Sequence, residues 1–168
     1  MTEKQIKLRP FADTDAESIF ELANNKNIWI NLRDGFPHPY TLADARKYIA
    51  YCLSLNPPTC FAIEYGGELA GSIGLFPQSD VYSKSAEIGY WIGEPFWNKG
   101  IASRAVDMIV EYGFLNLDII RIHTGVFSYN IASQKVLEKC RFVKEAVFKN
   151  AIWKDGRICD EIRYARLK

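Results

Sequence analysis

Residues Glu87 to Val106 read EIGYWIGEPFWNKGIASRAV, and this stretch decides the fold. Glu87 to Ile92 has the β-branched and aromatic content of a strand. Glu94-Pro95 interrupts it. From Gly100 onward, Ile101, Ala105 and Ile109 recur at helical spacing, with Ala102, Val106 and Val110 beside them. The segment from Trp97 to Ala102 therefore falls where a helix presents amide protons that its own ladder does not use. Those amides and the helix dipole attract anions, and a glycine at 100 lets a ligand come close to the backbone. The expectation is a phosphate or pyrophosphate cradle fed directly by a strand.

Two common phosphate loops do not fit. A Walker loop ends in Gly-Lys-Ser/Thr, whereas this chain has Lys99-Gly100 in the reverse order. A dinucleotide fingerprint needs GxGxxG, and Gly89, Gly93 and Gly100 do not have that spacing.

A third pattern does fit. The run resembles the pyrophosphate loop of the GNAT family of acyl-CoA-dependent N-acetyltransferases, Gln/Arg-x-x-Gly-x-Gly/Ala. Gly100 and Ala102 match, and Trp97 takes the first position. The aromatic setting, Tyr90-Trp91-Ile92 followed by Phe96-Trp97, is similar to the RimJ/RimL-type branch, which includes the ribosomal-protein N-terminal acetyltransferases. A second block, VFSYNIASQKVLEKCRF from Val126 to Phe142, resembles the family's Asn-x-x-Ser-x-x-Val/Leu segment. Asn130 is a natural N-cap for the helix that follows, with Val136, Leu137 and Cys140 on one apolar side. Two departures stand out. Arg141 replaces the usual glycine, and Leu137 replaces the tyrosine with which many members protonate the departing thiolate.

The resemblance implies an α/β (α+β) GNAT fold, a mixed, mostly antiparallel central sheet flanked by helices. It also implies acetyl-CoA as cosubstrate and a primary amine as acceptor, joined by direct transfer in a ternary complex. On that reading the backbone at Trp91, Ile92 and Gly93 takes the pantetheine arm like an added strand. Asn98, Lys99, Gly100, Ile101, Ala102 and Ser103 hold the pyrophosphate, and Asn130 and Ser133 lie near the pantetheine arm and the leaving sulfur.

Acyl transfer to an amine needs a base, an oxyanion site and help for the leaving thiolate. Glu87 is the candidate base: on an alternating strand it shares a side with Gly89 and Trp91. The alternative for Glu87 is an ion pair or surface carboxylate on that strand. Ser133 could protonate the sulfur in place of the absent tyrosine, or be an ordinary residue of a first helical turn. Arg33 and Asp34 lie in IWINLRDGFPHPY (28–40), the connection that borders the acceptor cleft in this fold class. They could hold a carboxylate and an ammonium group of the acceptor, or bond to their own loop. His38 reads as a rigid-turn residue, and His123 has no partner visible in the sequence. Cys140 occupies an apolar helix position and reads as core rather than as an acyl-enzyme nucleophile.

The rest of the chain agrees. Its 168 residues read as a single domain, 1–168, with no repeat or linker. Twenty-one Lys+Arg against 20 Asp+Glu give no electrostatic argument for nucleic acid or an anionic membrane. No segment approaches the ~20 apolar residues of a membrane span, and there is no signal-peptide core. Cys52, Cys60, Cys140 and Cys159 lack metal-ligand spacing, so the expectation is reduced thiols, no metal and a cytoplasmic setting.

Around the deciding stretch the sequence predicts a strand at Gln5–Arg9 and a helix opened by a Thr14…Glu17 capping box through about Ala23. A second capping box, Thr41…Asp44, opens a helix through about Leu53. A hairpin follows about Gly66-Gly67, then the Glu87 strand and Gly100 helix, a strand at Ile119–Phe127 and the Asn130 helix. Two late strands, near Phe142–Lys149 and Ile158–Leu167, flank an Asp155-Gly156 turn. Trp153 in that hairpin is a candidate contact of a homodimer. The different-class alternative is a non-catalytic acyl-CoA-binding sensor, which needs the cradle but neither Glu87 nor an acceptor site.

Overall fold

The computed structural model describes residues 5–168. Seven strands form one mixed, mostly antiparallel sheet in the order β1-β2-β3-β4-β5-β7-β6. They are β1 (Ile6–Arg9), β2 (Cys60–Tyr65), β3 (Glu68–Pro77), β4 (Ser85–Ile92), β5 (Arg121–Phe127), β6 (Val143–Lys154) and β7 (Arg157–Leu167). The helices are α1 (Ala16–Ala23), α2 (Lys26–Trp29), α3 (Leu42–Ser54), α4 (Ile101–Asn116) and α5 (Ile131–Lys139). By contact density the chain divides into two compact units, Met1–Gly74 with Tyr90–Ala105, and Leu75–Gly89 with Val106–Lys168.

In the first unit β1 and β2 pair antiparallel, and β2 turns through Gly66-Gly67 into β3. α3 begins at the Thr41–Asp44 capping box, where the Asp44 N–H donates to Thr41 Oγ1 and the Thr41 N–H to Asp44 Oδ2. α1 begins differently from the Thr14…Glu17 reading. A single 3-10 turn, Asp13–Asp15, precedes it, and the Asp15 carboxylate accepts the Ala12 N–H at 2.8 Å. The capping carboxylate therefore comes two residues early, because Asp15 is buried and turned back by Arg9. Ile19, Ala23, Ala45, Ile49, Ile63 and Ile73 are almost fully buried and form this unit's core. α2 has no counterpart in the sequence reading. It is a four-residue helix whose N-cap, Asn25, accepts the Asn27 N–H.

In the second unit β4 runs parallel to β5, with Ser85 opposite Arg121, Ala86 opposite Ile122 and Glu87 opposite His123. β5 and β7 are antiparallel, and β7 pairs with β6 through the Asp155-Gly156 turn. Both turn residues have positive φ, 48° and 76°, as a two-residue hairpin of primed type requires. Ile109 and Val110 of α4, Ile122 of β5, Leu137 of α5 and Tyr164 of β7 are buried to within about 1%. No helix among the described residues is long and apolar enough to cross a membrane.

Candidate active site

Within the first unit, the end of β4 is held firmly against β3. β3 and β4 approach so closely that a Cβ at position 71 would fall 2.2 Å from Trp91 O, so only glycine fits there. The Gly93 N–H also points to β3 and donates to Ala70 O at 2.8 Å. Trp91 O and the Gly93 N–H thus face the same edge, and strand alternation turns Ile92's backbone to the opposite one. The Gly93 carbonyl is engaged as well, accepting the Phe96 N–H at 2.9 Å. Of the three residues read as a pantetheine edge, Gly93 has its amide committed within the sheet, and Ile92 faces the other way.

The loop after β4 is held from within. Trp97 Nε1 donates to Ile92 O at 2.7 Å, pinning the loop back onto the strand it leaves. Lys99 Nζ donates to Pro95 O at 2.8 Å and sits 5.4 Å over the Phe96 ring. Asn98 (φ 61°) and Gly100 (φ 74°) both adopt left-handed backbone, which Asn tolerates and Gly favours. The space where a Gly100 side chain would stand has no atom within 4 Å. α4 follows at once. Its first rung is Arg104 N–H to Gly100 O, so the amides of Ile101, Ala102 and Ser103 precede the helical ladder. A tight, open-faced turn delivering several amides to a helix start is the geometry that binds a pyrophosphate.

The 28–40 connection belongs to the same unit. Phe36 packs edge-on to Trp91 with ring centroids 6.1 Å apart and against Tyr40 at 5.0 Å. Trp29 stacks on His38 at 5.4 Å, so His38 is part of the loop's own packing. Arg33 and Asp34 are exposed, and the Arg33 carbonyl closes a turn on the Phe36 N–H at 2.9 Å.

The second unit carries the other candidates. Glu87 is half-buried on β4, directly opposite His123. Asn130 caps α5, its Oδ1 accepting the Ser133 N–H at 3.2 Å. α5 closes with the Phe142 N–H on Leu137 O and Arg141 at φ 64°, the left-handed end that the family's usual glycine would make. Leu137 is fully buried and offers no proton. Burial, then Asp107, pushes the Cys140 thiol up to about 11, so it is not a thiolate nucleophile at neutral pH. His123 gains what the sequence could not show, charged neighbours from other strands, Glu87 and Arg163 among them. They come from strands distant in sequence, and no local motif announces them.

Residues 5–143 match the acetyltransferase (GNAT) domain family. The chain is 31% identical over 167 residues to the uncharacterized N-acetyltransferase YoaA of Bacillus subtilis, covering 96% of this chain and 92% of that protein. Its fold superimposes with a TM-score of 0.84 on RimL, a ribosomal L7/L12 α-N-protein acetyltransferase in complex with coenzyme A. That alignment is 24% identical and covers 99% of this chain and 95% of the other. It superimposes with a TM-score of 0.81 on MccE, a microcin C7 self-immunity acetyltransferase in complex with acetyl-CoA and AMP, 26% identical over 98% of this chain and 93% of the other. With a family match over most of its length and a relative 31% identical across nearly all of it, the chain belongs to the GNAT family of acetyl-CoA-dependent N-acetyltransferases.

Proposed function

We propose that this protein transfers the acetyl group of acetyl-CoA to a primary amine by direct attack in a ternary complex. The preferred acceptor is the α-amine of a protein or peptide, and a small-molecule amine is the second choice. The observation that carries the coenzyme half is the loop pinned by Trp97 Nε1 on Ile92 O, which ends in left-handed Gly100 at the start of α4. The α-amine preference draws support from the aromatic β4 and loop residues and from the likeness to RimL, whose name gives ribosomal L7/L12 as its acceptor.

In this reading the backbone from Asn98 to Ser103 holds the pyrophosphate. The pantetheine arm lines β4 through Trp91 and Ile92, with the Ile92 N–H as its donor rather than that of Gly93. An α-amine with a pKa of ~8 is partly protonated at neutral pH and must lose a proton before it attacks. Glu87 takes that proton, directly or through water, and the C–N bond forms as the C–S bond breaks. Ser133 hands a proton to the departing sulfur and is reprotonated by the second proton that the nitrogen sheds as the amide forms, and Asn130 orders the α5 start that carries Ser133. The products are the amide, CoA thiol and one proton released to solvent. Arg33 and Asp34, exposed on the connection that packs against Trp91, meet the acceptor. The chain acts in the cytoplasm and as one domain, and a family match that spans parts of both compact units supports the single domain. Exposed Trp153, Phe148 and Ile158 on the last hairpin support a homodimer.

The test is thiol release from acetyl-CoA over a mixed panel of N-terminal peptides and small amines, with mass spectrometry of the products. Acetylated peptide that disappears in Glu87→Gln supports the whole reading. Tight CoA binding with no product on any amine favours the sensor.

A further inference from the structure

His123 stands across the parallel β4–β5 ladder from Glu87, and side chains at paired positions rise from the same face of a sheet. Its other neighbour comes from β7: Arg163 Nη2 reaches His123 Nδ1 at 3.4 Å. A guanidinium has only N–H donors, so this contact is a hydrogen bond when Nδ1 is the acceptor. The ring proton then resides on Nε2. A second proton would have to enter at Nδ1, against a permanent cation.

The surrounding charges come from four strands. Glu87 faces the imidazole from β4, Arg121 from its own strand, Glu145 from β6 and Arg163 from β7. Arg121 and Glu145 form a bidentate pair at 2.8 and 2.5 Å and so partly neutralise each other. Glu161, buried on β7, holds Arg163 Nη1 at 3.3 Å. Burial is the largest influence and lowers the pKa of His123 from 6.5; Glu87 opposes it, Arg163 and Arg121 reinforce it, and Glu145 opposes it. The fold therefore holds this imidazole neutral further into acid than an ordinary histidine.

We propose that His123, anchored by Arg163 and set opposite Glu87, is a positioning residue for the amine base. As a neutral imidazole it forms no ion pair with the Glu87 carboxylate, which then accepts the proton of the attacking amine. As an imidazolium it ties that carboxylate into an ion pair and stops it working. The inference rests on Glu87 being the base. It assigns the acid limb of activity to a histidine rather than to the carboxylate itself.

Two readouts test it. The first is an NMR titration of the His123 imidazole in wild type, Glu87→Gln and Arg163→Gln. Loss of the opposing anion moves its midpoint down, and loss of the anchoring cation moves it up, each by roughly half a pH unit or more. The second is the pH profile of kcat/KM for an acetylated amine. In Arg163→Gln the acid limb rises with the imidazole midpoint, an activity loss of about threefold on the limb for half a unit. In His123→Gln the limb falls, and adding Arg163→Gln no longer moves it, which separates the effect from general damage.

A limb that stays put in Arg163→Gln while Glu87→Gln is inactive overturns the role of His123 alone. A Glu87→Gln enzyme within about threefold of wild type removes the base, and the inference with it. Imidazole midpoints that ignore both substitutions overturn the inference outright.

Discussion

Arg9 on β1 grips Asp15 with two parallel hydrogen bonds, Nη1 to Oδ2 and Nη2 to Oδ1, each 2.8 Å long. Its Nε reaches Glu64 on β2 at 2.9 Å, and the same Asp15 carboxylate takes the Ala12 N–H. One guanidinium thus fastens the start of α1 to the first two strands.

That clasp has a pH signature. Burial, the largest influence, works to raise the pKa of Asp15, but the Arg9 hydrogen bonds, the Ala12 amide and the Arg9 charge outweigh it and the net shift is downward from 3.8. A carboxyl depressed by folding contributes stability that is complete above its unfolded value and is lost as pH falls through its folded one. Urea unfolding should therefore show stability declining below about pH 4, with a shallower decline in Asp15→Asn. Arg9→Met, which leaves a buried carboxylate unpaired, should cost about 2–3 kcal/mol at pH 7. Parallel acid profiles for wild type and Asp15→Asn would show that the pair does not govern this loss.

Arg141 ends α5 in a conformation that a side chain resists. With φ at 64° it lets the Phe142 N–H reach Leu137 O and its own N–H reach Glu138 O, both at 3.0 Å. A left-handed residue with a Cβ costs ~1–2 kcal/mol, of which glycine returns part through its freer unfolded chain. Arg141→Gly should raise stability by about 0.5 kcal/mol, a Tm gain of roughly 1–2 °C. A lower Tm would mean that the arginine side chain stabilises this end by contacts that outweigh the strain.

The Trp97 indole is the strut of the proposed cradle. Trp97→Phe removes the 2.7 Å bond to Ile92 O and keeps most of the ring. One lost hydrogen bond of ~1 kcal/mol should weaken CoA binding roughly fivefold in calorimetry, with little change in Tm. Gly100→Ala strains a position at φ 74° although the space around it is open, so its effect should also fall on CoA affinity rather than on packing. Unchanged affinity in both variants would move the pyrophosphate site elsewhere.

Gly71→Ala tests the frame beneath that loop. The added methyl would meet Trp91 O at 2.2 Å, and backbone on both sides leaves no flexible group to give way. A destabilisation of about 3 kcal/mol or more is expected in urea, together with loss of CoA binding. Retention of wild-type stability would mean that β3 and β4 can separate without cost.

What the sequence revealed was local, and what it hid was set by tertiary partners. The strand-to-helix step at Glu87–Val106, the Thr41 capping box, the Asn130 cap and the Asp155-Gly156 turn each depend on residues within a few positions of one another. All four form as read. The start of α1 was misread because Thr14…Glu17 has the right spacing, whereas the carboxylate that matters is drawn away by Arg9 across a strand. The commitment of the Gly93 amide to Ala70 follows from a pairing partner 23 residues away, which periodicity does not specify. His123 is the clearest case: both its neighbours arrive through strand order, Glu87 by a parallel crossover and Arg163 by an antiparallel return 40 residues later.

In the proposed mechanism Ser133 makes good the departure at Leu137. Leu137 is sealed in the core, so no group at that position can protonate the leaving sulfur. The Asn130 cap holds the Ser133 backbone in the first turn of α5. A thiolate is a tolerable leaving group, so a proton donor should contribute less than the ~10²–10⁴ of general acid catalysis at poorer ones. Ser133→Ala is expected to lower kcat about tenfold while leaving the affinity for CoA within about twofold, a split that marks an interaction made only in the transition state. A matching loss of CoA affinity would make Ser133 a binding residue, and unchanged turnover would leave it an ordinary residue of a first helical turn. Ser133→Cys, which keeps a donor of lower pKa, should recover part of the lost rate if proton delivery is its work.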